Sequence, residues 1–355
     1  MKILFLIRED YLKKSGGDTF QALKTKEYLE KYEDVSIDIS HTVDNIDLSK
    51  YEIIHIFNIQ IVNFAYDLVK QCKKYSKKVF LSPIMWDMSD GMYASYYFKY
   101  FTNFNCFNKF KFVRKIFDFV MLKHKNKIKY ILSQCDCILP NSTEEDNYLK
   151  RKYKVNYKSV IVPNCIDIKL KPIQRTVGYN DYVLEVGRIE PVKNQLGLLK
   201  SLMDYPNIPL IFIGKKNQNY QKYLSELEYL AKKRGNTYFI EHMPQEDLIL
   251  YYKNAKVHAL PSFRESPGLV TLEALFYKTN VVVSNEVFCP IGYYGFNNIA
   301  SVCNPYNIDS IKEAVLEAYI RPKVNLEEKY FNFISYDNAA KITLEAYMNE
   351  LSTYK

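Results

Sequence analysis

The chain has 355 residues, of which 48% are hydrophobic and 25% charged, and its net charge is +9. This length suggests two domains of ordinary size, and the composition excludes a disordered or fibrous chain. No apolar run approaches the ~20 residues of a membrane-spanning helix, the apolar start Met1–Ile7 is too short for a signal peptide, and seven scattered cysteines with no zinc-type spacing exclude a disulfide framework.

Free thiols in a reducing cytoplasm are the expectation. The charge is concentrated: residues 96–130 hold nine Lys or Arg and one acid, Asp118, interleaved with twelve Phe or Tyr.

In chain order, the first half alternates short β-rich runs with longer helical patterns. The runs are Lys2–Ile7, Val35–Ile39, Glu52–Phe57, Lys78–Ser82, Cys135–Pro140 and Ser159–Pro163. That alternation predicts a doubly wound parallel α/β sheet. Paired glycines, Gly16 and Gly17, follow the first strand, where they allow positive φ and close approach of a ligand. Asp18 beside them suits either a helix N-cap or an acceptor contact. Asn58 stands at the C-terminal end of the third strand, where open α/β sheets bind ligands. His55, inside that strand, suits the core better than catalysis. Trp86 and Asp87 close the fourth strand, and Trp86 suits either stacking on a sugar ring or plain packing. Asn141 to Glu145 has the pattern of an N-cap and acidic first turn.

Within the basic segment, Phe110, Val113, Phe117 and Val120 recur at helical spacing with Lys111, Arg114 and Lys115 among them. A stripe of this kind predicts docking in the headgroup plane of an anionic membrane surface.

The boundary is expected near Lys169–Asn180, where apolar periodicity lapses. Domains at 1–170 and 171–335 follow, with 336–355 crossing back onto the first. The second half repeats the strand habit at Tyr182–Val186, Leu210–Ile213, Thr237–Ile240, Val257–Leu260 and Asn280–Ser284. Gly187-Arg188 ends the first of these strands, and a helix begins near Asn194, just after Lys193. Two fixed cations there can neutralise a leaving diphosphate without a metal. After Val257–Leu260 come Glu265, Ser266, Pro267 and Gly268, then an apolar helix from Leu269. Its one acid, Glu273, shares a face with Leu269, Leu272 and Phe276 and demands a partner. The helix N-terminus suits a phosphate, and carboxylates beside an anion seat suggest a sugar nucleotide.

Glu265-x7-Glu273 after Pro261-Ser262, together with Gly187-Arg188…Lys193, resembles the donor site of family-4 glycosyltransferases, retaining enzymes of the GT-B fold. The resemblance implies two Rossmann-like domains facing across a cleft. It implies that Glu265 holds donor-sugar hydroxyls, that Glu273 holds the ribose or supports Glu265, and that Arg188 and Lys193 bind the diphosphate. It also implies that Gly214 gives the nucleotide room and that the turn His242-Met243-Pro244-Gln245 meets the base. Gly16 and Gly17 would border the donor phosphates and acceptor. Val162–Asp167 resembles the family's Pro-Asn-Gly-hydrophobic-Asp turn, with Cys165 in the glycine's place. The family often has a histidine where this chain has Trp86-Asp87, so Asp87 becomes the candidate acceptor-side base. No Asp-x-Asp occurs, in keeping with a reaction that needs no metal or other cofactor.

The implied function is sugar transfer from a nucleotide-diphosphate sugar to a glycan or lipid-linked acceptor in polysaccharide or glycolipid synthesis. Its location would be cytoplasmic or peripheral on the membrane's cytoplasmic face. A GT-B nucleotide-sugar epimerase is the alternative enzyme. A nucleic-acid-binding protein would explain the charge but not Glu265 and Glu273.

Overall fold

The computed structural model describes residues 1–11, 16–167, 178–241 and 243–352. Ser15, His242 and most of the expected boundary segment lie outside the described residues. The chain forms two compact units. The first comprises Met1–Trp86, Val120–Ile168 and Glu328–Lys355; the second comprises Asp87–Phe119 and Lys169–Glu327.

The first unit is a five-stranded parallel sheet in the order β2-β1-β3-β4-β5. Its strands are β1 (Lys2–Leu6), β2 (Ser36–Ser40), β3 (Ile53–Phe57), β4 (Lys78–Ser82) and β5 (Cys137–Ile138). All five side chains of β3 are buried, as expected of a central parallel strand covered on both faces. His55 is a core residue: Nδ1 lies 2.6 Å from the Tyr347 hydroxyl and Nε2 2.9 Å from Ser82 Oγ. Burial pushes its imidazole down to about 3, so it stays neutral. Tyr347 belongs to the closing helix Tyr336–Ser352, whose buried Ala339, Ala340 and Ala346 join the core of this unit. Small side chains let that helix lie close to its neighbour, Gly17–Leu29. The run Ser159–Pro163, expected as a strand, makes only a single bridge from Ser159 to Ile138.

The second unit is a six-stranded parallel sheet in the order β11-β10-β9-β6-β7-β8. Its strands are β6 (Tyr182–Val186), β7 (Leu210–Ile213), β8 (Thr237–Ile240), β9 (Ala255–Leu260), β10 (Asn280–Ser284) and β11 (Ser301–Cys303). The chain starts in the middle at β6, builds outward to β8, and returns beside β6 with β9.

Residues 87–119 depart from the expected division at residue 170, because they pack into the second unit. Phe107 stacks on Tyr306 at 5.1 Å and meets Phe263 edge-on at 5.2 Å, while Phe98 meets Tyr223 at 5.6 Å. These rings are buried in one core with β6, β7 and β9.

The expected stripe through Phe110, Val113, Phe117 and Val120 is not one helix. Asn103 caps a short helix, Phe104–Lys109, which gives way to a 3-10 turn at Lys111–Val113 and then to the helix Arg114–Leu122. Val113 and Phe117 pack inward on the core, and the side chain of Val120 is outside the description. Phe110 is exposed as expected, but the rest of the exposed apolar row is Phe112, Ile116 and Phe119. Arg114 is drawn inward to Asp90, 2.6 Å away, whose other oxygen accepts from the Tyr306 hydroxyl at 2.7 Å.

Candidate functional site

A doubly wound sheet binds ligands where the strand order reverses, beyond the carboxyl ends of the strands. In the second unit that point lies between β6 and β9. The chain leaves β6 through Gly187 and Arg188, and leaves β9 through Pro261 to Gly268.

Backbone approach fixes the first of these exits. Gly187 N–H donates to Ile213 C=O at 2.9 Å, and a Cβ on Gly214 would stand 2.0 Å from the Gly187 carbonyl oxygen. Gly214, expected to give a nucleotide room, is needed in the first place so that β7 can run beside this turn. Its φ of +152° adds to the demand. Gly214→Ala is predicted to destabilise the fold by on the order of 3 kcal/mol, measured as a lower urea midpoint. An unchanged midpoint would refute that assignment.

A 3-10 turn at Pro191–Lys193 then presents Lys193, and Asn194 takes a left-handed conformation before the helix Gln195–Ser201. The buried Asn194 amide donates to the carbonyls of Pro261 and Pro305 at 3.0 and 2.9 Å. Phe263 N–H donates to Val192 C=O at 2.8 Å. The two exits are thereby tied together, and the tie places Lys193 Nζ 2.5 Å from Glu265 Oε1.

Glu265 is buried. Its backbone N–H donates to Phe288 C=O at 2.7 Å. Its second oxygen lies against Gly268, where an added Cβ would meet it at 3.2 Å. Gly268 has φ +91° and precedes the helix Leu269–Phe276, whose positive end faces this carboxylate. Arg188 is 69% exposed and touches Glu190 at 2.9 Å. Glu190 also accepts from the Asn217 amide at 2.8 Å. Arg188 thus reaches out from a buried acid with most of its side chain in solvent, where it can meet a phosphate.

Glu273 finds the partner its position demands: the buried Tyr252 hydroxyl donates to it at 2.9 Å. Ser266 and Leu269 lie half-buried between the two acids, and Met243 lies half-exposed beyond β8. The backbone of Gln245 opens the helix Gln245–Asn254, while its side chain lies outside the description.

Three groups escape a reading by motif. Arg264 adds a third cation; burial holds its guanidinium below the ordinary value, with Glu265 and Glu190 opposing the fall and Arg188 assisting it. Glu185, fully buried in β6, has no oxygen in hydrogen-bond geometry with a described partner. Burial pushes it well above the carboxylate range, Lys193 and the Gln195 amide oppose this, and Glu265 reinforces it. Glu185 is thus a buried acid whose carboxyl is raised by its surroundings and which feels both members of the Lys193–Glu265 pair. The signal was available: it is the single acid in the run Tyr-Val-Leu-Glu-Val.

His258, the third group, lies in β9 with neither ring nitrogen hydrogen-bonded among the described residues. Burial, aided by Lys193, pushes its imidazole down from 6.5 to about 3. A depressed histidine stabilises the fold above its unfolded pKa, and that contribution is lost as pH falls from 6.5 toward 3. Between pH 7 and 5, His258→Phe is predicted to remove about 2 kcal/mol of the acid-induced loss of stability. Equal losses in variant and parent by urea unfolding would contradict this.

In the first unit, Asp18 and Asn58 come together. Asp18 accepts from Arg8 Nε and from Asn58 Nδ2, each at 2.9 Å. Burial raises the Asp18 carboxyl, but these hydrogen bonds and the Arg8 charge outweigh it and hold the group below its ordinary value. Asp18 is not the helix N-cap; that position is Gly16. Neither Gly16 nor Gly17 takes a positive φ. A Cβ on Gly16 would stand 2.9 Å from Asp18 Oδ1, whereas one on Gly17 meets nothing within 4 Å. Trp86 is buried and stacks on Tyr148, with ring centroids 5.9 Å apart. Asp87 belongs to the second unit, and its Oδ1 accepts from the backbone N–H and hydroxyl of Ser89 at 2.9 and 2.5 Å. That oxygen is committed to starting the helix Ser89–Tyr100.

Residues 169–335 match the family described as glycosyl transferases, group 1. The chain is 30% identical over 149 residues to an O-antigen chain mannosyltransferase B of Escherichia coli, covering 40% of this chain and 38% of that protein. It is 30% identical over 233 residues to an uncharacterized glycosyltransferase of Methanocaldococcus jannaschii, covering 59% of this chain and 56% of that protein. The matches thus span about half or less of these curated relatives.

Among solved structures, sucrose-phosphate synthase from Thermosynechococcus elongatus superposes with a TM-score of 0.76 at 15% identity, covering 99% of this chain and 100% of that one. Anabaena HepE, in complex with UDP and glucose, gives 0.60 at 15% identity over 98% and 95% of the two chains. The match to the group 1 glycosyltransferases is carried by residues 169–335, just under half of the chain, and the fold is GT-B.

Proposed function

We propose that this chain transfers a sugar, with retention of anomeric configuration and without a metal, from a nucleotide-diphosphate sugar to a glycan or lipid-linked acceptor. The observation that carries this reading is the Lys193–Glu265 pair at the reversal point of the second sheet, beside the helix N-terminus at Gly268. Glu265 takes donor-sugar hydroxyls, Glu273 the ribose, and Arg188, Lys193 and the helix end take the diphosphate. Arg264 adds to the positive field. The turn at Met243–Gln245 borders the base, and Asp18 and Asn58 face the acceptor. The leaving phosphate accepts the acceptor's proton on the face from which it departs, so no protein nucleophile is required. Two comparisons support the substrate class: HepE binds UDP and glucose, and one relative is named as an O-antigen mannosyltransferase.

The work is cytoplasmic, in polysaccharide or glycolipid synthesis. Among the described residues no helix is long and apolar enough to cross a membrane. Contact with an anionic leaflet is made instead by Phe112, Ile116 and Phe119 with Lys111 and Lys115 beside them. Anionic but not neutral vesicles are predicted to sediment the chain, and 0.5 M salt to release it; indifference to lipid charge would discard the membrane contact.

The test of transfer is incubation with a panel of nucleotide sugars and candidate glycan or lipid-phosphate acceptors. Acceptor-dependent release of nucleoside diphosphate is expected, with a product of the donor's anomeric configuration by NMR. An inverted product would overturn retention, and isomerised donor without transfer would overturn transfer itself.

A further inference from the structure

The second unit contains a cavity of about 640 Å³ between the helices Ser89–Tyr100 and Phe104–Lys109 and the turn that follows. Tyr96, Tyr100, Phe101, Cys106, Phe110 and Val113 form most of its wall. Four of its polar groups are already occupied. The hydroxyls of Tyr93 and Tyr97 at its base donate to the carbonyls of Phe107 and Asn103, at 2.8 and 2.9 Å. The Asn103 side chain caps the short helix by accepting from Cys106 N–H at 3.0 Å, and Lys222 Nζ donates to Tyr100 C=O at 3.1 Å. Most of the wall is apolar, so it suits a hydrocarbon chain better than a sugar or nucleotide.

The surroundings of the cavity select the head group of that hydrocarbon. The three acids of residues 87–119 are turned inward: Asp87 to Ser89, Asp118 to Ser89 at 2.7 Å, and Asp90 to Arg114 and Tyr306. Lys99, Lys109, Lys111 and Lys115 are all exposed. The surface that residues 87–119 present around the cavity is therefore positive, with Lys222 beside it, and suits an anionic amphiphile. The helix Ser89–Tyr100 also relates the cavity to the donor side chains. A Cβ on Gly91 would touch Val192 at 3.5 Å and Arg264 at 3.7 Å, whereas Tyr100 lines the cavity. Along the helix the lining residues Tyr93 to Tyr100 lie about 3 to 14 Å from Gly91, a span that a phosphate and one or two sugar rings can bridge.

We propose that this cavity holds the hydrocarbon chain of a phosphate-linked lipid acceptor. The proposal rests on the sugar-transfer reading and names the acceptor's class.

Cys106 supplies a test that needs no turnover. It is the exposed cysteine of the seven, and it lines the cavity. Dodecyl phosphate below its critical micelle concentration is expected to slow modification of Cys106 by iodoacetamide in the full chain at least tenfold. Inorganic phosphate should not. The partly exposed pair Tyr100→Glu and Phe110→Glu should abolish the protection while the thermal midpoint holds. Absence of protection, protection undiminished in that double variant, or protection by anionic vesicles alone would each overturn chain binding. None of these outcomes depends on whether sugar transfer has been detected, so the two readings fail separately.

Discussion

Replacing Glu265 by alanine is expected to lower kcat/KM by on the order of a hundredfold or more while the protein stays folded. The loss follows from removing charge-assisted hydrogen bonds that strengthen as the donor sugar gains positive character. The survival of the fold has a more particular cause. Breaking a buried ion pair ordinarily costs ~3–5 kcal/mol, because one charge is left unpaired. Here Lys193 keeps a second carboxyl within its field, Glu185, which burial raises well above its ordinary value. Once Glu265 is gone, Glu185 is free to ionise and take its place as the counter-charge. Glu265→Ala should therefore unfold within about 1 kcal/mol of the parent at pH 7, whereas Glu265→Ala with Glu185→Gln should lose roughly 3 kcal/mol more. Calorimetry on the four proteins separates these values. Full activity in a folded Glu265→Ala would remove Glu265 from the site, and additive stability losses would remove Glu185 from the account.

Arg188→Ala is expected to raise the barrier by about 3 kcal/mol, the scale seen when a donor to developing negative charge is lost. Arg188 is the most exposed cation of the group, and among the described residues its ion pair is with the buried Glu190. Lys193 and Arg264 are tied more tightly to the acids around them. If these cations carry the leaving diphosphate, turnover should survive EDTA. Strict dependence on Mg²⁺ or Mn²⁺ with a mild Arg188→Ala effect would reverse that view.

Much of this was readable from spacing. Short β-rich runs separated by helical patterns placed ten of the eleven strands, because a parallel strand buried on both faces must be apolar for most of its length. The missing one, β11, has three residues, too few to stand out. Glu265 and Glu273 were visible because an acid just before an apolar helix and another inside it need a reason to be there. Glu185 obeyed the same logic in a strand. The home of residues 87–119 was not readable. A pattern of rings shows which faces are apolar, not which core they enter, and Phe107 reaches Phe263 and Tyr306, which lie far along the chain. The stripe was misplaced for a related reason. Helical spacing presumes an unbroken helix, and the turn at Lys111–Val113 shifted the exposed row to Phe112, Ile116 and Phe119.

The most direct measurement is a titration of the unlabelled protein with UDP, GDP, ADP and the corresponding monophosphates, following the thermal midpoint of parent and Arg188→Ala. One diphosphate is expected to stabilise the parent by about 2.7 kcal/mol at a hundred times its Kd, its monophosphate less, and the variant to need at least tenfold more ligand. No shift with any diphosphate, or shifts identical in Arg188→Ala, would contradict a nucleotide-sugar site at the reversal point of the second sheet.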